Sequence, residues 1–414
     1  MAPGEHREEH TVKAIIVGAG VSGLTAAVGL LAAGHQVEVF ERGPVLRDGG
    51  NGVLLWPNGT SILRELGIET EDLGARMDSA DIMSYDEKPL MRVDLTDIAG
   101  RLGSHTAGVM RGEIVRRLAA ALPEGTLRTG MRCVSVATGG PSDAPVTVTF
   151  EDGTAVEGDL LIGADGYRSV VRAHLFGPDD IAEYTGLATW HGTTVKQIGG
   201  LDEHFVPAYY GSKIAFTTHS VGDGVKHWAF ELPWPIDGLD ATGVVGDQVS
   251  AASDSGPTRL GLLREWFAGW PAAVGDLLDV LTEEEIKVHP HVIHRVRKWW
   301  GDGPVTLAGD AAHAVPPRVG WGVNQALEDG WVLSRALAGA TDPAPRLRLY
   351  EQTRRARARR VRSRGAMLKH VNRMILLLRA TPRGIRATRA VQGNIMNCSN
   401  YLHGEAPSPL PVTA

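Results

Sequence analysis

The sequence predicts an α/β protein in which a parallel sheet is interleaved with a second, antiparallel sheet and followed by C-terminal helices. Three observations carry this prediction. The run Val12-Lys13-Ala14-Ile15-Ile16-Val17, continuous and apolar but for Lys13, is followed by helical spacing of Leu24, Ala27, Val28 and Leu31, and then by the β-rich Val37-Glu38-Val39-Phe40-Glu41. That is a βαβ opening, and its first strand has the composition of one buried on both faces. Between about 184 and 233 several short, aromatic-bearing strands succeed one another without long helices between them, the pattern of an antiparallel layer. Helical periodicity dominates from Asn324 onward.

Taken in order, Gly34-His35 ends the first helix. Asn58 is placed to cap a helix through Ile62, Leu63 and Leu66, and Arg111 opens another through Ile114, Val115, Leu118 and Leu122. Residues 132–137, 145–150 and 156–162 read as a three-strand meander, because Gly-Pro-Ser-Asp and Asp152-Gly153 supply turns between them. The mid-chain strands are Leu187 to Val195, Phe205 to Tyr210, Ile214 to His219 and Trp228 to Leu232. A helical stretch at 258–281 and a last buried strand, Val305 to Ala308, precede the final helices.

Composition removes several classes. The 414 residues are enough for two domains, and 43% apolar with 22% charged residues is an ordinary globular balance. Cys133 and Cys398 stand far apart without a CxxC partner, so no disulfide framework or cysteine metal site is expected and a reducing cytoplasm fits. No His/Asp/Glu cluster has ligand spacing, so no metal is expected. The first ten residues are polar and the longest apolar runs too short for a span, so neither export nor stable membrane insertion is expected. The net charge of −6 disfavours nucleic acid. Residues 346–389 nevertheless hold fourteen Arg and one Lys against Glu351, a local +14 with −20 elsewhere. This tract is expected to be a helix docked by Leu347, Leu349, Val361, Met367 and Leu368 with most arginines solvated. Arg exceeds Lys 34 to 8, a bias suggestive of a GC-rich bacterial genome.

Three motifs bear chemistry. Gly18-Ala19-Gly20-Val21-Ser22-Gly23 lies between the first strand and its helix, where a tight turn, close approach of a pyrophosphate and helix–strand packing require Gly18, Gly20 and Gly23. Glu41, 18 residues beyond Gly23, is where a carboxylate can accept both ribose hydroxyls, with Arg42 beside it. The combination points to a bound dinucleotide. The second motif, Gly163-Ala164-Asp165-Gly166-Tyr167-Arg168, continues to Arg172 and suits loop cross-linking and phosphate contact, or a turn whose Asp caps a helix. The third runs from Leu307 through Asp310 and His313 to Pro317, Gly320, Trp321, Gly322 and Val323. It delivers Asp310 toward a ribose or ribityl hydroxyl and exposes amides at a helix start. His313 reads as structural.

Together, in this order and spacing, the motifs resemble single-component FAD-dependent aromatic-ring monooxygenases of the para-hydroxybenzoate hydroxylase type. The resemblance covers about residues 12 to 370, and the WPNG run Trp56–Gly59 with Tyr350-Glu351-Gln352-Thr353-Arg354 looks closest to urate, salicylate and 3-hydroxybenzoate hydroxylases. It implies a Rossmann-like FAD-binding domain (12–80, 105–175 and 285–370) interleaved with an antiparallel-sheet substrate domain (81–104 and 176–284), a disordered tail at 1–11 and a helical segment with a tail at 371–414. It further implies that Gly18, Gly20, Gly23 and Glu41 hold the ADP half of FAD, that Arg111 reaches the cofactor, that Asp165 and Arg168 serve FAD and NAD(P)H, and that Asp310 contacts the ribityl side. One departure stands out: relatives carry Pro-x-x-Gly-Gln-Gly where this chain has Pro317-Arg318-Val319-Gly320-Trp321-Gly322.

The activity so implied uses NAD(P)H and O2 to hydroxylate an aromatic or heteroaromatic small molecule through a flavin C4a-hydroperoxide, in a monomer or homodimer. Epoxidation, Baeyer–Villiger insertion, O2-independent reduction and a non-catalytic FAD-containing scaffold stay open. No second G-x-G-x-x-G occurs in a βαβ context, and Trp234-Pro235-Ile236 does not fit a halogenase signature. Candidate substrate residues are Trp190, His191, Tyr209, Tyr210, Lys213, His219 and His227 in the central β-rich block. Lys213 and His219, six apart, are expected to share a sheet face and to polarise or deprotonate a phenol.

Overall fold

The opening unit consists of β1 (Lys13–Val17), α1 (Val21–Ala32) and β2 (Gln36–Phe40), with Ile15, Ile16 and Val39 fully buried. The structure is a computed structural model that describes residues 11–46, 51–139, 145–196, 198–199, 204–234, 258–317 and 320–377. After β2 come β3 (Gly52–Leu55), α2 (Pro57–Glu65), β4 (Ala75–Met77), β5 (Ser79–Ser84), β6 (Pro89–Asp94) and α3 (Leu95–Leu102). β7 (Thr106–Met110) runs directly into α4 (Arg111–Ala120), and β8 (Leu127–Arg128), β9 (Cys133–Thr138), β10 (Val146–Phe150), β11 (Ala155–Gly158), β12 (Leu160–Gly163) and α5 (Val170–Phe176) follow. The second half contains β13 (Glu183–Thr194), β14 (Phe205–Tyr210), β15 (Ala215–Ser220), β16 (Lys226–Pro233), α6 (Arg259–Trp266), α7 (Ala272–Val280) and β17 (Lys287–Ile293). It closes with β18 (Val305–Leu307), α8 (Asp310–His313), α9 (Gly322–Leu337) and α10 (Pro343–Leu377).

Four sheets result. The parallel sheet has the order β18-β12-β1-β2-β8, so its strands come from both ends of the chain. The seven-stranded sheet, β17-β13-β16-β15-β14-β5-β6, is antiparallel except where β14 meets β5. β9 to β11 form one three-stranded sheet, and β3, β7 and β4 another. α1 lies against α9 so closely that a Cβ on Gly330 would come within 2.6 Å of the Ala26 amide nitrogen. His35 Nε2 bonds the Leu337 carbonyl at 2.9 Å, fastening the end of α1 to the end of α9.

Several expectations need correction. The strand read at 156–162 is two strands: the Lys13 amide donates to Asp159 Oδ2 at 2.7 Å, and this clip turns the chain from the antiparallel β11 into the parallel β12. Asn58 is not a cap, because Trp56 occupies that position and Asn58 lies within α2, donating to Glu328 Oε1 at 2.5 Å. The helical stretch at 258–281 breaks at Pro271, which precedes α7. The sheet attributed to the substrate side continues through β17, past the expected boundary at 285, since β17 is hydrogen-bonded along β13.

The Arg-rich helix is docked by Leu347 and Val361 as expected, but its arginines are not mostly solvated among the described residues. Arg354 and Arg357 are buried, and Arg355 bonds the Lys298 carbonyl while lying 5.4 Å from the Trp299 ring. Residues 1–10 and 378–414, and the side chains of Met367 and Leu368, lie outside the described set. Among the described residues no helix is long and apolar enough to cross a membrane.

Candidate active site

The glycine-rich turn sits where β1 ends beside β2 and β12. Gly18 has φ +107°, and a Cβ there would lie 2.3 Å from the Ala164 carbonyl oxygen, so only glycine closes this turn against the second motif. Gly20 is the N-cap of α1, and no side chain caps the helix, which leaves its first-turn amides for an anionic ligand. Gly23 packs against Ile16 and Ala164. Glu41 follows β2 directly and accepts from the Ala19 amide at 3.0 Å and the Gly43 amide at 2.9 Å, so its carboxylate is fixed at the mouth of the turn. Arg42 beside it is exposed. Arg111, first residue of α4, reaches the same turn: a Cβ on Gly20 would be 4.0 Å from its Nη2.

In the second motif Ser169, not Asp165, caps α5, accepting the Arg172 amide at 2.8 Å, and Asp165 braces that start. It accepts from Ser169 Oγ at 2.5 Å and from the Val170 amide at 2.7 Å, at the start of α5. Burial pushes its carboxyl up, opposed by these hydrogen bonds. Arg168 is exposed, 5.3 Å from the Tyr167 ring centroid. The loop cross-link expected of this motif is made by Arg172, which is buried and donates to Asp180 Oδ1 at 2.8 Å and to the Ala311 carbonyl at 2.9 Å. Asp180 in turn receives Arg297 Nε at 2.7 Å. The second and third motifs are thereby joined.

The third motif presents Asp310 as an exposed carboxylate with no hydrogen bond or ion pair among the described residues, at the first position of α8. Behind it lies a buried charge network. Asp329 accepts the Gly309 amide at 2.7 Å and Arg354 Nε at 2.6 Å, and stands 2.8 Å from His313 Nε2. Glu328 receives Arg354 at 2.5 Å, and Arg357 as well. Burial alone would raise the Asp329 pKa, but His313 and Arg354 outweigh it and hold the carboxyl at about 2. Gly320 and Gly322 flank Trp321, and Val323 in the first turn of α9 is partly buried against the main core; Arg318 and Val319 lie outside the described residues.

The seven-stranded sheet has two unlike faces. On one, Trp190 pairs with Phe230, and Phe230 with Phe216, in a core closed by Leu263, Phe267, Val274 and Leu277 of α6 and α7. Trp190 is a fully buried member of that core, and Tyr209 stacks on Phe216 there, so neither lies on the face with the histidines. The other face carries Thr189, His191, Glu231, His219, His227, His289 and His291. It is turned to the sheet that delivers Arg111, since a Cβ on Gly52 would sit 2.3 Å from that of His227. Burial lowers the His289 pKa, with smaller opposing contributions from Asp310, which raises it, and Arg111, which lowers it.

Ring centroids of His219 and His227 are 5.0 Å apart and those of His191 and His227 5.9 Å. Burial lowers all three pKa values, His219 to about 4 and His191 to about 3, so these imidazoles are neutral at neutral pH. Tyr210 ends β14 on the histidine side of the pleat, half-buried. Lys213 does not join them: it is exposed in the β14–β15 hairpin, before the start of β15 at Ala215, which is itself about 13 Å along the strand from His219 at about 3.3 Å per residue. His289 and His291 were missed, although their alternate spacing is the strand signature. Asp329, Glu328 and Arg354 were also missed as a network.

Residues 11–208 and 254–364 match the family described as FAD binding domain. The chain belongs to this family. It is 32% identical over 372 residues to 3-amino-4-hydroxybenzoate 2-monooxygenase PtmB3 of Streptomyces platensis, covering 87% of this chain and 88% of that protein. It is 30% identical to the FAD-dependent urate hydroxylase of Klebsiella pneumoniae subsp. pneumoniae, covering 84% and 87%, and 30% identical to 6-hydroxynicotinate 3-monooxygenase of Bordetella bronchiseptica, covering 84% and 88%. The solved structure of Klebsiella pneumoniae HpxO complexed with FAD and uric acid shares the fold, with a TM-score of 0.80 at 24% identity over 94% of this chain and 96% of that one. The protein is an FAD-dependent monooxygenase of the aromatic-hydroxylase type, for which NAD(P)H is the typical reductant. Its residues fit the cofactor: an uncapped helix start behind a turn that only glycine closes, and the exposed Asp310 for a hydroxyl.

Proposed function

We propose that this flavoprotein hydroxylates a small aromatic or heteroaromatic ring held between the histidine-bearing face of the seven-stranded sheet and the Asp310 to Val323 segment. The balance is NAD(P)H, H+, O2 and the ring C–H in, and NAD(P)+, water and the ring C–OH out. FAD, when bound, would supply the redox chemistry that links NAD(P)H to O2.

The chain's residues do the rest. The α1 amides and Arg111 would meet the pyrophosphate, Glu41 would accept ribose hydroxyls, and Asp310 would accept a ribityl hydroxyl. Asp165 holds the start of α5, which keeps Arg168 available to phosphate charge. The neutral imidazoles of His191 and His219 can donate or accept a hydrogen bond to a ring hydroxyl or ring nitrogen, and Tyr210, opposite Ala215 on the same face, adds a phenol nearer the hairpin end. Packing of this face against β3 and β7 excludes water, which oxygen transfer requires.

The observation that carries the reading is that the histidine face packs on the sheet leading into Arg111, where a Cβ on Gly52 would sit 2.3 Å from that of His227 and one on Gly108 2.9 Å from the His219 ring. The test is a panel of phenols, indoles and nitrogen heterocycles assayed for stimulated NAD(P)H oxidation and for oxygenated product. A fitting compound should give close to one product per NAD(P)H. A ratio near zero across the panel, with flavin reduction intact, would favour reduction or non-aromatic oxygenation.

A further inference from the structure

The departure at Trp321 has a physical counterpart elsewhere in the chain. Trp321 stacks on Trp56, with ring centroids 5.4 Å apart and planes 13° from parallel. The Trp56 indole Nε1 also donates to the Gly320 carbonyl at 2.9 Å, and the Trp56 amide donates to Asn324 Oδ1 at 2.9 Å. Asn324 Nδ2 reaches back to the same Gly320 carbonyl at 3.2 Å and to the Leu54 carbonyl at 2.9 Å. Gly320 itself has φ +62°, a conformation held in place by the two bonds to its carbonyl from one side and the stack from the other. The Arg357 guanidinium, fixed by Glu328, lies 6.0 Å from the Trp321 ring centroid. Both indoles are buried among Met77, Val93 and Val206, in a small apolar cluster separate from the two main cores.

A glutamine at 321 could neither stack on Trp56 nor fill this cluster. We propose that Trp56 and Trp321 are positioning residues that lock the turn Gly320–Gly322 in the conformation that receives the flavin end of FAD. The proposal rests on the assignment of Gly320, Gly322 and Val323 to the FAD site. A turn ordered in advance loses less entropy when the cofactor binds, and it gives the reacting ring one seat rather than several. Affinity for FAD and coupling of NAD(P)H to product should therefore both depend on the indole pair.

The test is titration of FAD into deflavinated wild type, Trp321→Gln, Trp321→Phe, Trp56→Phe and the Trp56→Phe/Trp321→Gln pair, with product per NAD(P)H measured on each reloaded enzyme. Trp321→Gln should weaken FAD about threefold to tenfold, the range of one lost aromatic stack, and lower coupling while flavin reduction continues. Trp321→Phe, which keeps a ring, should stay within about twofold of wild type. Trp56→Phe keeps the ring but loses the bond to Gly320 and should fall between. The double variant should lose less than the product of the single losses, because the two residues act as one unit. Unchanged affinity and coupling in Trp321→Gln, equal damage from Trp321→Phe, or losses that simply multiply would each overturn the proposal. If Trp321→Gln does not fold, Trp321→Phe and Trp56→Phe decide it. A wild type that binds no FAD would defeat the cofactor assignment instead.

Discussion

Arg354 of α10 donates to Asp329 of α9 at 2.6 Å, and the other oxygen of that carboxylate accepts the Gly309 amide at 2.7 Å. A residue 44 positions downstream thus fixes the backbone next to Asp310. Both charges are fully buried, and removing one leaves the other uncompensated. Arg354→Ala should destabilise the protein by about 3–5 kcal/mol, read from denaturant unfolding without cofactor. A loss below about 1 kcal/mol would show that water replaces the guanidinium.

Asp329 also sets the response to strong acid. Its pKa of about 2 in the folded state lies below the unfolded value, so the stability it contributes is present above about pH 4 and lost as pH falls through about 2. Replacement by Asn should lower stability at neutral pH and flatten the pH dependence between about 4 and 2. Urea unfolding across that window distinguishes the two effects.

The buried histidines act at milder pH. Below about 6.5 the unfolded chain binds protons that His219 refuses until about 4 and His191 and His291 until about 3. Stability should therefore decline as pH drops from 6.5, by about 1.4 kcal/mol per pH unit for each such imidazole. His219→Gln should reduce that slope by one imidazole's share, and an unchanged slope would mean that His219 takes up its proton without unfolding.

Asp310 should separate binding from folding. It is exposed and makes no hydrogen bond or ion pair among the described residues, so Asp310→Asn should leave the melting temperature of the FAD-free protein nearly unchanged while weakening FAD roughly 10- to 100-fold, the worth of one charge-assisted hydrogen bond. Equal affinity in calorimetry would remove Asp310 from the cofactor site.

Lys213 and Trp190 should behave oppositely. Lys213→Ala in the exposed hairpin should leave kcat/KM within about twofold. Trp190→Ala should cost about 3–5 kcal/mol in unfolding free energy by opening a hole under α6 and α7. A coupling defect in Lys213→Ala with stability intact would return that lysine to the substrate site.

The difference between these residues shows what was legible. The Gly18–Gly23 turn, Glu41, Arg111 and Asp310 could be read because each depends on local spacing between a strand and a helix. Alternation along a strand divides residues into two faces but does not say which one a helix will cover, so Trp190 and His191 looked alike. Charge count misled at Arg354 and Arg357, because their partners Glu328 and Asp329 lie more than 20 positions away on another helix. His289 and His291 face the site only because β17 joins β13, a pairing across about a hundred residues that no local pattern announces.

The parallel sheet takes β1 and β2 from the beginning of the chain and β18 from residue 305 onward. At a synthesis rate of about 5–20 residues per second, Asp310 leaves the ribosome roughly 15–60 s after Gly18. During that interval the nascent chain has the phosphate-binding turn but neither the strand that completes its sheet edge nor α9, against which α1 packs. The first helix therefore waits for the last but one, and the Asp310 side of the FAD site cannot form until this late segment has emerged.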